Sequence, residues 1–346
     1  MASTLYLVIP GLLETGRSTP TNSAFFQPAA PALRWLLARA DARPVPAATD
    51  EALFQLFDTP ISDGVDLPAA AVARLAEGGN PDNGWWLRAD PVHLRPDLHG
   101  VFLADARVLA IEPVEAALLA AAFDQTFASE GLQLYVPHPD RWYLRLPSDP
   151  GLRTFPLLDA IGRDINPLLP HGPAARRWHA LLTEIQMLFH HHPVNRAREE
   201  RNQPLINSVW FWGGGACPAN ARPPAAGLYA SDLLTRGLAR LANAAVSPVP
   251  AHAGDWLDGA SKENSLVVLE TMRYDPAEDD STTWADHLAE LEKTWFVSCR
   301  RWLRTGRLAT LHLYPGNGWV YTLTGAARWR FWRRARPPSA YMVLRP

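Results

Sequence analysis

Lysine is nearly missing from this chain of 346 residues, because Lys262 and Lys293 are the only two. Almost all of the positive charge is therefore arginine, whose planar guanidinium suits carboxylates and phosphates, although a GC-rich genome explains the same composition. The formal net charge is -2, which provides no bulk attraction to nucleic acid or to an anionic membrane. We therefore expect neither of these partners.

Cysteine is equally scarce, with Cys217 and Cys299 as the only two. They cannot build a disulfide framework, and neither lies in a CxxC pair. The apolar residues 5–9 have no basic segment before them and no small-residue cleavage site after them. No stretch reaches the roughly 20 apolar residues that a membrane span needs. We therefore expect a cytoplasmic protein.

Apolar patterning predicts alternating strands and helices at both ends of the chain. Residues 5–9 read as a buried strand, residues 42–48 as a proline-rich loop, and helices are predicted at 32–40, 50–57 and 67–77. In the last third, strands are predicted at 207–211, 265–270, 308–313, 319–323 and 329–332, and helices at 229–243 and 283–304. Such alternation is typical of an α/β layer fold.

The pattern changes between residues 85 and 203. A hairpin is predicted from strands at 86–94 and 101–105, followed by helices at 112–129 and 176–189 and a strand pair at 133–136 and 142–146. This predicts an inserted α+β domain, residues 85–203, within a discontinuous α/β core domain of residues 1–84 and 204–346.

The most distinctive segment reads HHHPVNR at residues 190–196. Three adjacent histidines invite a metal site, but neighbouring positions on a helix point about 100° apart and cannot converge on one ion. Zinc ligands on a helix usually lie four residues apart, and the sequence has no such histidine pair. We therefore interpret the segment as the end of a helix that Asn195 caps.

This segment, a proline-led linker and a strand that runs into the glycines of residues 213–215 together resemble the archaeal-type cofactor-independent phosphoglycerate mutases. Residues 88–106, 229–241 and 266–304 follow in the order of that family's elements. The chain looks most similar to the bacterial RpfE-type regulatory proteins. The resemblance implies an α/β fold with a three-layer alkaline-phosphatase-like core and a mixed sheet, interrupted by the inserted α+β domain.

In that family a nucleophilic hydroxyl and two divalent metals held by Asp and His carry out phosphoryl transfer. The resemblance places Thr49 at the nucleophile, although an N-cap for a helix that starts at Asp50 explains the threonine equally well. Pro10 stands where the family has a metal-binding Asp, residues 313–317 lack its Asp-His pair, and no histidine follows His312. Because phosphoryl transfer without metals loses its main electrostatic stabilisation, we expect no metal, no cofactor and no catalytic activity.

Three functions are compatible with the sequence, and we favour the first. It is a regulatory pseudoenzyme that binds a phosphorylated metabolite or a regulatory protein. Its candidate ligand-binding residues are the polar groups of the inserted domain, since arginine and histidine can hold phosphate without a metal: Arg88, His93, Arg95, His192, Asn195, Arg196 and Arg198.

The second function is an active, metal-dependent mutase or phosphatase. Its metal ligands would come from another set of acids and histidines: His252, Asp255, Asp258, Asp275, Asp279, Asp280 and His287. The third is a structural protein-interaction module, because the chain has fourteen tryptophans. Several of them crowd the last quarter of the chain, where exposed aromatic rings would mark a partner surface: Trp295, Trp302, Trp319, Trp329 and Trp332.

Overall fold

The computed structural model describes residues 3–14, 29–59, 65–80, 82–98, 100–259, 263–273 and 281–342, without the side chains of residues 281–283. Its strands are β1 (Ser3–Val8), β2 (Asp41–Pro44), β3 (Trp85–Asp97), β4 (Gly100–Ala104), β5 (Gln133–His138), β6 (Arg141–Leu146), β7 (Ser208–Ala216), β8 (Gly227–Tyr229), β9 (Ser265–Val268), β10 (Leu308–Tyr314) and β11 (Trp319–Thr324). Its α-helices are α1 (Pro31–Arg39), α2 (Thr49–Leu56), α3 (Ala69–Ala76), α4 (Ala106–Leu109), α5 (Pro113–Phe127), α6 (Leu157–Ala160), α7 (Ala175–His190), α8 (Pro193–Glu200), α9 (Leu233–Leu241), α10 (Ala253–Gly259), α11 (Ser281–Leu291) and α12 (Val297–Thr305).

The chain divides into two compact units, and the first, Met1–Pro60 with Asn220–Pro346, is built on a six-stranded mixed sheet. The strand order is β2-β11-β10-β1-β9-β8, with β1 parallel to both β9 and β10, and β8 parallel to β9. Leu7 and Val8 of β1 point to opposite faces and are both buried, as in a parallel sheet that is covered on both sides. The mixed α/β fold class expected from the sequence is confirmed.

A long interrupted helix fixes the start of α1 in this unit. The helix predicted at 283–304 runs from α11 through the π-helical segment Glu292–Phe296 into α12. The carboxylate of Glu292 accepts hydrogen bonds from the backbone N–H groups of Ala32 and Leu33, in the first turn of α1. These groups have no partner within a helix, and α1 has no side-chain cap of its own. Glu292 therefore caps a helix that lies 260 positions away in sequence.

The second unit, Ile61–Ala219, is an antiparallel sheet covered by helices. The long strand β3 is its centre, because its first half pairs with β6 on one side and β7 on the other, and its last residues pair with β4. The core between the sheet and the helices is rich in aromatic rings, including Trp142 against Phe189 and Trp178 against Phe211, both edge to face. This unit contains the hairpin and the strand pair expected from the sequence.

The second unit extends beyond the expected boundaries at residues 85 and 203. Strand β7 pairs with β3, from Trp85 opposite Ala216 to Val92 opposite Ser208. Helix α3 packs closely on β7, where Gly213 has a positive φ of 67° and an added Cβ would lie 3.1 Å from the Cβ of Ala69. Pairing and packing of this kind bind both flanking segments to the second unit.

Two segments of the first unit differ from their expected form. The proline-rich residues 42–48, expected as a loop, begin inside β2, an edge strand on which Pro44 needs no further ladder partner. Residues 329–332, expected as a short strand, instead run from the end of the 3-10 helix Gly325–Trp329 into a turn at Phe331 and Trp332. In the part of the chain that the structure describes, no helix combines the length and apolar composition needed to cross a membrane.

Replacing Glu292 with alanine is expected to lower the free energy of unfolding by about 1–3 kcal/mol, because two buried N–H groups of α1 lose their acceptor. Glu292→Gln keeps one acceptor oxygen, so its loss should be smaller. Denaturant unfolding measures both, with Glu290→Ala, an exposed position on the same long helix, as the control. Equal losses for Glu292→Ala and Glu290→Ala would contradict the capping role.

Candidate functional site

The carboxyl ends of β8, β9, β1 and β10 lie along one edge of the first unit's sheet, because these four strands run parallel. In open α/β sheets, ligands bind outside the carboxyl ends of the strands. Asp232 follows β8 and Glu270 follows β9, while Thr49 and Asp50 begin α2.

Two glycines show how closely the backbone segments approach one another at this edge. Gly11 follows β1 with a φ of 82°, and an added Cβ would lie 1.9 Å from the carbonyl oxygen of Met272. Gly316 follows β10 with a φ of 81°, and an added Cβ would lie 3.2 Å from the Thr49 hydroxyl oxygen. The ends of β1 and β10, the start of α2 and the segment after β9 therefore form one cluster, which we call the strand-edge site.

An arginine lies among the acids of the strand-edge site. The Nη2 atom of Arg273 lies 3.1 Å from Oδ1 of Asp50, and its Nε atom lies 3.1 Å from Oε1 of Glu270. Burial acts to lower the pKa of Arg273, but the charges of Asp50, Glu270 and Asp232 outweigh it and raise that pKa. The site thus carries its own fixed cation.

The pKa values of two acids at this edge, Glu270 and Asp232, are raised above their usual values. Burial raises the pKa of Glu270, although Arg273 opposes the shift. Burial also raises the pKa of Asp232, whose Oδ1 accepts the Thr235 N–H at 2.7 Å and caps α9. Its other carboxylate oxygen, Oδ2, is buried without a hydrogen-bond partner. Negative charge at this edge is therefore costly unless a cation compensates it.

Thr49 is the first residue of α2 and not its cap. Ala48 occupies the N-cap position, and no side chain caps the helix. The N-cap explanation of this threonine is therefore wrong. Its hydroxyl is buried and has no hydrogen-bond partner. A buried hydroxyl at a helix N-terminus fits the position of a nucleophile. Since it makes no hydrogen bond, it has no hydrogen-bonded general base to activate it.

The residues at this edge do not fit a pair of divalent metals. Within the described ranges, no group of three or more histidine, cysteine, aspartate or glutamate side chains is arranged to hold a metal ion. Asp50 and Glu270 are turned to a guanidinium, and His312 stacks on Tyr6 and bonds the Thr322 hydroxyl within the sheet. The same finding covers the proposed alternative ligands His252, Asp255, Asp258 and His287, while Asp275, Asp279 and Asp280 lie outside the described residues.

In the second unit, the expected ligand-binding residue Arg88 is buried in a network of its own. Its Nε lies 3.0 Å from Oδ1 of Asp90, and its Nη1 lies 3.1 Å from the hydroxyl of Tyr143. Asp90 in turn accepts the indole N–H of Trp212 at 2.7 Å. The Arg88 guanidinium is therefore occupied by groups of the sheet itself.

Asn195 and Arg198 of α8 are also buried and occupied. The Asn195 amide donates to the carbonyl oxygens of Phe189 and Ile206, each at 2.8 Å, and accepts the Ile206 N–H at 2.9 Å. Arg198 contacts the Glu115 carboxylate and two backbone carbonyls. Asn195 therefore caps the end of α7 through the Phe189 carbonyl, as interpreted from the sequence, and ties that end to the chain before β7.

The remaining expected ligand-binding residues lie nearer the surface. His192 is the N-cap of α8, with its Nδ1 accepting the Val194 N–H at 3.2 Å, and His93 bonds the Leu205 carbonyl at 2.8 Å. Arg95 and Arg196 are exposed.

None of the seven expected residues lines the surface cavity of about 270 Å³ in the same unit, whose lining is Asn83, Gly84, Gly131, Gln133, Arg145, Leu146 and Pro147. The sequence pattern did not single out Glu270 and Arg273, although Glu270 ends the strand predicted at 265–270 and Arg273 follows it closely.

Comparisons with known proteins give a distant likeness. No protein-family model matches the chain. A Geobacter sulfurreducens protein described as "Probable 2,3-bisphosphoglycerate-independent phosphoglycerate mutase" is 28% identical over 158 residues, which cover 44% of this chain and 38% of that relative. The chain thus matches well under half the length of that relative.

Two solved structures also resemble the chain. The protein PH0037 from Pyrococcus horikoshii is 12% identical, with 98% of this chain and 92% of that chain covered at a TM-score of 0.56. The cofactor-independent phosphoglycerate mutase of Thermoplasma acidophilum is 18% identical, with 100% and 96% covered at a TM-score of 0.48. The chain is therefore phosphoglycerate-mutase-like in part of its sequence, and it shares its overall α/β fold with PH0037.

Asn195→Ala is expected to lower the free energy of unfolding by about 2–4 kcal/mol, because the N–H and C=O of Ile206 lose their partner and the Phe189 carbonyl keeps only the His192 N–H. Arg196→Ala, at the exposed neighbouring position, should change it by less than about 0.5 kcal/mol. Denaturant unfolding of both variants tests the structural role. If the Asn195→Ala protein were as stable as the Arg196→Ala protein, the hydrogen bonds of Asn195 would contribute nothing to the stability of the fold.

Arg273→Ala is expected to destabilise the fold by about 1–3 kcal/mol at pH 8, because the acids of the strand-edge site lose their cation in a partly exposed setting. The pKa of Glu270 is already raised, and losing Arg273 raises it further. A carboxyl whose pKa is higher in the folded state costs stability as pH rises through that pKa, so the loss should be smaller at pH 5. Unfolding at both pH values, with Arg273→Lys as the charge-preserving control, measures this; equal losses at pH 5 and pH 8 would contradict it.

Proposed function

We propose that this chain is a non-catalytic, phosphoglycerate-mutase-like protein with a regulatory role, in which it binds a ligand or a partner. The observation that carries this proposal is the Arg273 guanidinium, held between Asp50 and Glu270 at the edge of the sheet where ligands bind in this class of fold. The guanidinium neutralises the negative charge of these two carboxylates, but it cannot act as a Lewis acid as a metal ion does.

The same cation opposes a divalent metal at the strand-edge site. Two unit charges 4 Å apart near a protein surface repel by about 4 kcal/mol, and a dication doubles that figure. Two of the carboxylates that would have to compensate this repulsion, Asp50 and Glu270, are already paired with Arg273. A metal would therefore have to displace the arginine before it could be held.

Thr49 by itself is a poor nucleophile for phosphoryl transfer. A hydroxyl needs an adjacent base, a lowered pKa or a metal to become reactive. The hydroxyl of Thr49 accepts and donates no hydrogen bond, and the neighbouring Asp50 is paired with Arg273. The alternative of an active mutase or phosphatase rests on the position of Thr49 at the start of α2.

Binding of a phosphorylated metabolite would fall to the accessible members of the expected set. Arg95 and Arg196 are exposed, and an arginine can take a phosphate in two parallel hydrogen bonds. Arg88 and Arg198 would first have to leave buried ion pairs, which is costly. The surface arginines are therefore the better candidates for ligand binding.

Protein purified without chelators is expected to contain well under one equivalent of metal by elemental analysis. It should show no turnover of 2- or 3-phosphoglycerate or of p-nitrophenyl phosphate with added manganese, zinc or magnesium, because the acids of the strand-edge site are neutralised internally. Thr49→Ala is the control for any residual activity. Metal-dependent turnover that Thr49→Ala abolishes would overturn the proposal in favour of the active enzyme.

A further inference from the structure

Four arginines meet on one surface of the first unit, brought there by α1, α12 and the turn after β11. Arg39 donates to the carbonyl oxygen of Arg328 at 3.0 Å, and Arg328 donates to the carbonyl oxygen of Arg304 at 3.3 Å. The guanidinium carbons of Arg39 and Arg300 lie 4.9 and 5.8 Å from the ring centre of Trp35. We call these four arginines and Trp35 the arginine surface.

The positive charge of the arginine surface is not balanced locally. None of the ion pairs found in the described ranges includes any of its four arginines. Glu292, which faces Arg300, has its carboxylate on the N–H groups of Ala32 and Leu33. Burial lowers the pKa of Arg39, and the charges of Arg300 and Arg304 lower it further. An anionic partner would relieve this repulsion.

Three large aromatic side chains project beside the arginine surface. Trp329, Phe331 and Trp332 are 64%, 75% and 66% exposed. Arg330 and Arg333, between and after these rings, both pair with Asp41 on β2. We call residues 329–332 the aromatic turn.

Of the tryptophans that crowd the last quarter of the chain, Trp295 and Trp302 are buried core residues. Trp319, Trp329 and Trp332 are exposed, so they remain as an argument for a partner surface.

The high exposure of these rings and the positive charge beside them favour one kind of partner over others. A second copy of this chain using the same face would set arginine against arginine. A stacking platform for single-stranded nucleic acid keeps one face of each ring packed on the protein, whereas these rings are largely free of it. Projecting tryptophan and phenylalanine beside arginine is the composition that enters the headgroup layer of a membrane.

We propose that the arginine surface and the aromatic turn together dock on an anionic membrane surface. Trp329, Phe331 and Trp332 enter the headgroup layer, and the arginines lie over the acidic lipids. This departs from the expectation drawn from the net charge of -2, because the positive charge is gathered on one face. It does not depend on the proposed function, since an active enzyme could dock in the same way.

The test is flotation of the full chain with vesicles of 70% phosphatidylcholine and 30% phosphatidylserine, against vesicles of phosphatidylcholine alone. Binding is expected only to the anionic vesicles and should be lost in 0.5 M NaCl, because the attraction is screened. Arg304→Gln with Arg328→Gln should weaken it about 30-fold, from the contribution of each basic residue near an anionic surface. Phe331→Ser with Trp332→Ser should weaken binding to the anionic vesicles without changing how that binding depends on salt.

The matched control is Arg176→Gln with Arg236→Gln, two exposed arginines elsewhere, which changes the net charge equally. This control should bind as the unaltered protein does. No binding to anionic vesicles, equal binding to neutral ones, or an equal loss in the control pair would overturn the proposal. Tighter binding to a thymidine 20-mer or to polyglutamate than to the vesicles would also overturn it, by assigning the surface to nucleic acid or to an acidic protein.

Discussion

The parallel pairing of β1 with both β9 and β10 is the constraint on which the first unit depends. Parallel strands must be joined by long crossovers, so their neighbours in the sheet come from distant parts of the chain. Here residues 3–8 lie between strands at 265–268 and 308–314. All that follows these strands, including the acids and Arg273, is therefore gathered at one edge.

At that edge, the chemistry depends on how the buried negative charge is compensated. Carboxylates that gather in a half-buried place require a cation, whether a metal or a side chain. In this chain Arg273 provides it, in contact with Asp50 and Glu270. Asp50 and Glu270 can therefore lie together at this edge without a metal, because a side chain of the same chain compensates their charge.

In the second unit, too, buried charged groups are compensated by side chains of the same unit. Its most deeply buried polar groups are satisfied within the unit, as in the pairing of Arg88 with Asp90 and of Arg198 with Glu115. Asn195 satisfies three backbone groups at once. The HPVNR segment, which carries most of the resemblance, thus holds a helix end against a strand. A motif of this kind can persist for structural reasons, so it indicates the fold more firmly than the activity.

The sequence alone determined the α/β class, the strands β1, β9 and β10 and the long helix that ends as α12, because their apolar periodicity is strong and local. It did not predict β2, which exists only because β11 offers an edge, or the turn at residues 329–332, which Asp41 holds through Arg330 and Arg333. Nor could it bring Arg273 to Asp50, 223 positions away. Pairing between distant segments depends on sheet order and on what each side chain meets when it is buried, and neither is encoded in local pattern; only the tertiary structure decided them.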